Sequence, residues 1–340
     1  MSIRLGEFLL KKFISQSDMR IANILEVLSL IRKEKSITRK DIQNRTGLSW
    51  GGVSQIVSRL MELSYVIEKK VQDNASSGRT PSSLEINAYD NYIIGIDINM
   101  SGLYAVVVNL RNEIVYDKQL TADVNDKDAF LGSVYTLLDF VTKKYEKHNV
   151  IAIGVAMQGT VNSNDGVSVS LEVDGWENVP LCDILTARYN IPAYIAHDPD
   201  CILSAATREN KADAMLVRID SGIGMAVIKD ENLIVGTGMH EIGKSLICFG
   251  EEVKSLVQLM QDGEGTDALG LAVANSLIMY NVNKLFVCGS ASKDEVFVEK
   301  LESAIKRYIG DEISFHIYDA KRAAFGAAIF AIEDYLRYIK

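Results

Sequence analysis

The first apolar pattern along the chain has helical spacing. From Asp18 onward, apolar residues recur every three or four positions, which predicts a helix of about four turns. The apolar face of this helix is formed by Ile21, Ile24, Leu25, Leu28 and Ile31. A polar break, KEKS, follows it.

Two shorter helices are predicted next by their start signals. Thr38 with Asp41 three residues later matches a capping box, and Gly47 suits a tight turn between helices. Ser49 then starts another helix. Apolar side chains on one face of it follow steps of three and four, at Val53, Ile56, Val57, Leu60 and Leu63.

The pattern then changes to that of a hairpin. YVIEKKVQ alternates like a strand, DNASSGRTP is typical of a turn, and SSLEIN predicts a second strand. Three helices and a hairpin in this order predict a winged helix-turn-helix over residues 18–88. Apolar residues within 1–17 predict a docked helical arm before it.

The rest of the chain repeats one plan, in which an apolar strand runs into a polar or glycine-bearing loop. YIIGIDI at 92–98 is the first case, and similar runs occupy 149–162, 214–228 and 284–292. Helical segments such as DAFLGSVYTLLDFVTKKYEKH separate them. This alternation predicts an α/β architecture with ligand chemistry at the strand ends.

Charge is distributed unevenly between the two parts. The chain has 340 residues and a formal net charge of -9, but residues 1–85 hold 14 basic against 9 acidic residues, a net of +5. A basic module on an acidic body is drawn to a polyanion at one end, although a chance fluctuation could also give +5. No run of 18 apolar residues and no signal-peptide pattern occurs, so we expect a cytosolic protein without membrane contact.

The four cysteines form no CxxC pair, so they predict small buried apolar residues rather than a zinc ribbon or a disulfide framework.

The third helix carries small polar residues and glycines on its other face. Such a face lets a helix approach base-pair edges, and glutamine and arginine pair with adenine and guanine. Arg79, in the predicted hairpin tip, would enter a minor groove. A solvated polar face is the alternative. The predicted DNA-contacting residues are Thr38, Arg39, Ser49, Trp50, Gly51, Gly52, Ser54, Gln55, Ser58, Arg59 and Arg79.

Polar side chains at strand ends in the body are candidates for ligand binding. His197 and Asp198 follow an apolar strand, where they could bind or deprotonate a sugar hydroxyl, although Asp198 could equally be a helix cap. The loop Asp220 to Gly224 could cradle an anion or only make a tight turn. LEVDGWENVPL, with Glu172, Asp174, Trp176 and Asn178, suits a neutral polyol.

The order and spacing of these segments resemble the ROK family of repressors and sugar kinases. The segments are a winged helix, GIDI, GVAMQGTVN, GWENVPL, HDPD, SGIG, HEIGK, VCGSAS and AAFGAA. The resemblance implies a two-lobed, actin-like (ribonuclease H-like) fold behind the winged helix, with lobe I at 89–197 plus 322–340 and lobe II at 198–321. Asp198 matches the catalytic base of the family's kinases, and Glu241 matches a sugar-contacting carboxylate.

Departures from the family pattern predict lost chemistry. Lys244 stands where the family has a histidine, and only Cys248 remains of its cysteine-rich loop, so we expect no zinc. Family kinases have DxGGT after the first strand, but here Asn99, Met100 and Ser101 follow Asp97, with side chains where glycines would let a phosphate approach. Ser221, Gly222 and Gly224 match the second phosphate loop only in part. We therefore expect neither ATP binding nor phosphoryl transfer.

The sequence predicts a DNA-binding regulator, at least dimeric, that recognises a double-stranded operator and senses a carbohydrate or sugar phosphate. The predicted effector-binding residues are Glu172, Asn178, His197, Asp198, Glu241 and Lys244. An active sugar kinase and a scaffold that only dimerises remain alternatives.

Overall fold

The computed structural model describes residues 16–34, 36–70, 82–208, 212–230, 232–234, 241–249, 252–263, 265–319 and 321–337. Most of the predicted arm at 1–17 and the hairpin tip with Arg79 lie outside these residues. None of the helices in the described ranges is long and apolar enough to cross a membrane.

The amino-terminal module consists of three helices and a two-stranded antiparallel sheet, as predicted. The elements are α1 (Gln16–Glu34), α2 (Arg39–Thr46), α3 (Trp50–Glu62), β1 (Val66–Lys70) and β2 (Ser82–Ile86). The predicted caps form: Thr38 and Asp41 make a reciprocal capping box, and the Ser49 hydroxyl accepts from the Gly52 amide. Gly47 has φ +70, a left-handed conformation that favours glycine.

The module shares one hydrophobic core with the body of the chain. Leu28 and Ile31 of α1 and Val57 of α3 are buried in the same cluster as Ile93 and Ile329 of the body. The side-chain amide of Asn91 also donates to the Ser64 carbonyl at 3.1 Å. The module therefore docks through buried apolar surface, which restricts its motion relative to the body.

Two five-stranded sheets with the same topology form the body. The first sheet comprises β3 (Asn91–Asn99), β4 (Gly102–Asn109), β5 (Ile114–Leu120), β6 (Asn149–Met157) and β10 (Ala193–His197). The second comprises β11 (Ala214–Ile219), β12 (Ile223–Lys229), β13 (Asn232–Leu233), β16 (Lys284–Cys288) and β17 (Ser314–Ile317). The first has the order β10-β6-β3-β4-β5 and the second β13-β12-β11-β16-β17. The central strands, β3 and β11, each have an antiparallel hairpin partner on one side, β4 or β12, and a parallel strand on the other side, β6 or β16.

Smaller sheets and helices complete the body. The additional strands are β7 (Thr160–Asn162), β8 (Val167–Ser170), β9 (Glu177–Val179), β14 (Leu246–Phe249) and β15 (Glu252–Ser255). The helices are α4 (Lys127–Lys144), α5 (Leu181–Tyr189), α6 (Asp198–Thr207), α7 (Leu256–Gln261), α8 (Thr266–Tyr280), α9 (Glu295–Ile309) and α10 (Arg322–Arg337). Helix α6 contacts strands of both sheets, and the predicted lobe boundaries remain predictions.

Helix α10 packs against the first sheet through glycines. A Cβ atom at Gly95 would lie 1.9 Å from the Ala324 carbonyl oxygen, and one at Gly154 would lie 2.0 Å from that of Ala327. Side chains at either position would push the helix off the sheet. The small residues of AAFGAA thus seat α10 on β3 and β6.

Two expectations from the sequence are wrong. Trp176, grouped with polyol-binding residues, is buried in the core, where its Nε1 donates to the Ser168 hydroxyl at 2.9 Å and its ring meets Phe130 edge-on. Cys248, expected to be buried, is exposed on the β14–β15 hairpin, while the other three cysteines are buried.

Candidate DNA interface and ligand cleft

The first turns of α3 present small polar side chains and one large ring to solvent. The Trp50 side chain is 53% exposed, and Ser49, Gly51, Gln55 and Ser58 are exposed as well. Gly52 and Ser54 are half-buried. Since Val53, Val57 and Leu60 are buried on the opposite side, this face is free to meet a DNA groove.

The two glycines of α3 have different surroundings. A Cβ atom at Gly51 would meet nothing within 4 Å, whereas one at Gly52 would lie 3.3 Å from the Ser49 hydroxyl oxygen that caps the helix. Neither residue has a left-handed φ. No contact within the folded chain therefore requires glycine at position 51, although glycine destabilises a helix relative to alanine.

Two of the three arginines predicted at the interface, Arg39 and Arg59, are engaged within the chain. Arg39 Nη1 lies 2.6 Å from Glu68 Oε1, and Arg59 Nη1 lies 3.1 Å from Glu62 Oε2. The Thr38 hydroxyl is part of the capping box and donates to the Asp41 carboxylate at 2.6 Å. Recruiting either arginine to DNA would require its ion pair to open.

A buried guanidinium lies between the two sheets, among three carboxylates. Arg218 Nη1 lies 2.5 Å from Asp198 Oδ2 and 3.9 Å from Asp97 Oδ1, while its Nε donates to Asp220 at 2.7 Å. We call Asp97, Asp198, Arg218 and Asp220 the central cluster. Arg218 is not among the site residues predicted from the sequence, although a lone arginine in the apolar run AMLVRIDSG requires acidic partners if it is buried.

The carboxyl groups of Asp97, Asp200 and Asp220 have shifted pKa values. Burial raises the pKa of Asp97 to about 7, opposed by Arg218 and reinforced by Asp198. Burial, and then Asp198, raises the pKa of Asp200 to about 8. Burial also acts on Asp220, but Arg218 and the Ser290 amide outweigh it and hold the pKa of Asp220 below its ordinary value. Oδ1 of Asp97 and Oδ1 of Asp200 accept no hydrogen bond.

Loops from both sheets meet at the central cluster. The Asn99 side-chain amide donates to Asp97 Oδ2 at 3.1 Å, at a position where the family kinases have glycine. Gln158 accepts from the Met100 amide at 2.9 Å and its own amide approaches the Ser221 hydroxyl at 3.5 Å. Gln158 thus connects the β3–β4 turn of the first sheet with the β11–β12 turn of the second. It is not among the site residues predicted from the sequence.

The glycines of the predicted phosphate loop do not share one role. A Cβ atom at Gly224 would lie 2.9 Å from Pro199 Cγ, so glycine there lets the start of α6 approach β12. Gly222 has open space around it, and neither glycine has a left-handed φ. Packing accounts for Gly224 without an anion.

The predicted effector residues are only partly brought together. His197 Nε2 lies 3.6 Å from Asp198 Oδ1, beside the central cluster. Glu241 and Lys244 pair with each other at 3.5 Å on a short 3₁₀ helix, Ile242–Lys244, that packs against β12. Glu172 and Asn178 are exposed around β9, in the separate three-stranded sheet. In the described ranges, no group of three His, Cys, Asp or Glu side chains is placed to hold a metal ion.

Family models match two parts of the chain. The model of the ROK family matches residues 93–254, and a model of winged helix-turn-helix DNA-binding domains matches residues 22–67. The chain carries a ROK-family domain. The predicted family and the predicted fold, a winged helix-turn-helix followed by an actin-like ROK domain, are therefore confirmed.

Proteins similar to this chain in sequence or in fold include regulators and a kinase. The xylose repressor of Caldicellulosiruptor bescii is 25% identical over 84% of this chain and 73% of its own length. A ROK family transcriptional regulator, described as a homologue of the Escherichia coli Mlc protein, superposes with a TM-score of 0.79 at 18% identity, over 94% of this chain and 97% of its own. A ROK glucokinase from Streptomyces griseus superposes with a TM-score of 0.59 at 16% identity, over 71% and 99%.

Proposed function

We propose that this ROK protein is a DNA-binding repressor of carbohydrate use, whose affinity for its operator changes when a sugar or sugar phosphate binds between the two sheets. The observation that carries the proposal is the exposed face of α3 on a module that shares its core with the two-lobed body. The similarity to a xylose repressor supports it. The protein would act in the cytoplasm, where its operator is.

We also propose that the protein is not an enzyme. In a kinase, Mg²⁺ and phosphate oxygens must approach the carboxylates at the strand ends. Here the Arg218 guanidinium contacts Asp198 and Asp220, and the Asn99 side chain donates to one oxygen of Asp97. Mg²⁺ and this guanidinium would compete for the same carboxylate oxygens, so the residues present do not fit Mg-ATP.

The operator contact requires a pair of modules. One winged helix reads only a few base pairs, and paired readers on a two-fold axis bind half-sites separated by whole helical turns. We therefore propose a homodimer at least. Sugar binding between the sheets would change the spacing of the two α3 helices and so the affinity for two half-sites.

The test begins with the duplex that the full-length protein enriches from a random library. Its dissociation constant is then measured with D-xylose, D-glucose, their phosphates and Mg-ATP. A change of about fivefold or more with one sugar supports the proposal. Sugar-dependent hydrolysis of ATP would overturn the non-enzymatic part, and failure to enrich any duplex would overturn DNA binding itself.

A further inference from the structure

Helix α6 joins the central cluster to the DNA-binding module. It begins at Asp198, which pairs with Arg218, and it is followed by Arg208 at its C-cap. Ten helical residues span about 15 Å. Acidic side chains in the first turn and the cation of Arg208 at the C-cap suit the helix dipole at both ends.

The far end of α6 meets α1 through a shared acceptor. When the Asn112 amide is oriented with its oxygen toward the two guanidinium groups, the oxygen accepts from Arg32 Nε at 3.0 Å and from Nη1 and Nη2 of Arg208 at 3.2 and 2.5 Å. Arg32 belongs to α1, and its Nε also donates to the Leu110 carbonyl at 2.8 Å. We call Arg32, Asn112 and Arg208 the helix-end cluster.

The electrostatic energy of Arg32 depends on its distance from Arg208 within the helix-end cluster. Burial, and then the nearby charge of Arg208, lowers the pKa of Arg32 to about 9, while Glu333 of α10 acts in the opposite direction. The two guanidinium groups repel each other, and the neutral acceptor between them offsets part of this repulsion. A small displacement of Arg208 therefore changes the energy of Arg32.

Packing prevents α6 from moving alone. A Cβ atom at Gly326 of α10 would lie 1.9 Å from the Cys201 carbonyl oxygen of α6, so the two helix backbones touch. Helix α10 also packs against α1, and Tyr335 near its end bonds to Tyr65 of the module. A displacement of α6 would thus reach the module by two routes, one through the helix-end cluster and one through α10.

We propose that α6 couples the ligand cleft to the DNA-binding module, with Arg208 and Asn112 as the positioning residues that transmit its movement to α1. The proposal rests on the proposed sugar-sensing function. Hydroxyl groups of a sugar that donate to Asp198 compete with Arg218 for the same carboxylate, which releases the start of α6. The end of α6 then shifts against Arg32.

Double-mutant cycles on the full-length protein test this coupling without a known effector. Asp198→Asn weakens the contact with Arg218 at the start of α6, and Arg208→Gln breaks the contact at its end. We expect Asp198→Asn to change the dissociation constant for the enriched duplex by about fivefold or more, and this change to be clearly smaller in the Arg208→Gln background, where only the route through α10 remains. Asp220→Asn, which acts on Arg218 outside α6, should combine additively with Arg208→Gln.

Stability alone would not produce this pattern, because all variants are titrated at a temperature where thermal unfolding shows them folded. Asn112→Gly, which suits the φ of +64 at this half-buried position between β4 and β5, serves as a second variant of the helix-end cluster if Arg208→Gln fails to fold. Additive effects of Asp198→Asn and Arg208→Gln would overturn the coupling. Absence of any sugar effect on wild-type DNA affinity would instead overturn sugar sensing, so the two failures are distinguishable.

Discussion

Arg218 Nη1 lies 2.5 Å from Asp198 Oδ2, and this contact ties a strand of the second sheet to the first residue of α6. The guanidinium is buried and its partners include Asp97 and Asp220. The carboxylates raise the pKa of Arg218 further above its ordinary value, in spite of burial. The cation thus stays charged throughout the physiological range.

Removing this cation should destabilise the fold, and more so at high pH. Arg218→Met leaves buried carboxylates without a counter-charge, which costs about 3–5 kcal/mol when a buried pair is broken. The loss should be smaller at pH 5, because Asp97, with a pKa of about 7, then carries a proton. Urea unfolding at pH 5 and pH 8 measures both values.

Lys229→Met is the matched control, because it removes a half-buried cation of the same sheet that pairs with Asp213 near the surface. We expect close to no change in the free energy of unfolding for this variant. If the Arg218 variant lost no more stability than the control at either pH, the carboxylates of the central cluster would not depend on the guanidinium.

Asp200 should make the protein less stable as the pH rises. Its folded pKa of about 8 lies above the ordinary aspartate pKa of 3.8, so its proton is held more tightly in the folded state. The stability it contributes is complete below about pH 4 and is lost as the pH rises toward 8. Asp200→Asn removes this pH-dependent loss of stability. The free energy of unfolding of the variant should exceed that of wild type by an amount that grows from pH 5 to pH 8, to the order of a few kcal/mol.

Asp220→Asn supplies a control of opposite sign. The pKa of Asp220 is lowered, so its contribution is present above the unfolded pKa and is lost only as the pH falls through the folded value. The variant should be less stable than wild type at pH 7. A stability difference for Asp200→Asn that stays constant between pH 5 and pH 8 would contradict the raised pKa.

Local signals predicted most of the elements because each signal lies within a few residues. The caps at Thr38 and Ser49 and the apolar runs that became β3 and β11 required no distant information. The central cluster could not be predicted in the same way. Its members come from two sheets and a helix start, and the sequence shows Arg218 only as an interruption of an apolar strand.

The errors have a related cause. Trp176 lies among acidic residues in the sequence, but it fills the space between Phe130 and Ser168, which come from other elements. The exposure of Cys248 follows from its place on a short hairpin rather than on a sheet of the body. Composition around a residue describes its chain neighbours, whereas burial depends on elements that pack from elsewhere.

Gly51 should separate stability from DNA binding. Alanine at this position meets no atom within 4 Å, so Gly51→Ala should stabilise α3 by about 0.5–1 kcal/mol. We expect the same change to weaken binding to the enriched duplex by about tenfold, because the methyl group holds the helix away from the base edges. Thermal unfolding and fluorescence anisotropy measure the two effects.

Gly52→Ala is the comparison on the same helix. Its methyl group would meet the Ser49 hydroxyl at 3.3 Å and disturb the cap, so the gain in stability should be smaller or absent. A Gly51→Ala variant that is more stable and binds the duplex as tightly as wild type would show that α3 does not approach DNA through this residue.

Gln55 should contribute more to sequence recognition than Arg59. Gln55 is exposed on α3, whereas Arg59 pairs with Glu62 and is half-buried. A side chain that pairs bidentately with adenine is worth about 1–3 kcal/mol of discrimination. Gln55→Ala should therefore weaken binding to the enriched duplex by about tenfold and binding to random duplex only slightly, with the salt dependence of both unchanged.

Arg59→Ala should instead cause a smaller loss that is similar on the two duplexes, because its guanidinium is held by a carboxylate of its own helix. Measuring both variants on both duplexes at two salt concentrations decides between base contact and phosphate contact. An equal loss for Gln55→Ala on specific and random duplex would remove Gln55 from the base-reading surface. A loss for Arg59→Ala confined to the enriched duplex would mean that the Glu62 pair opens on DNA.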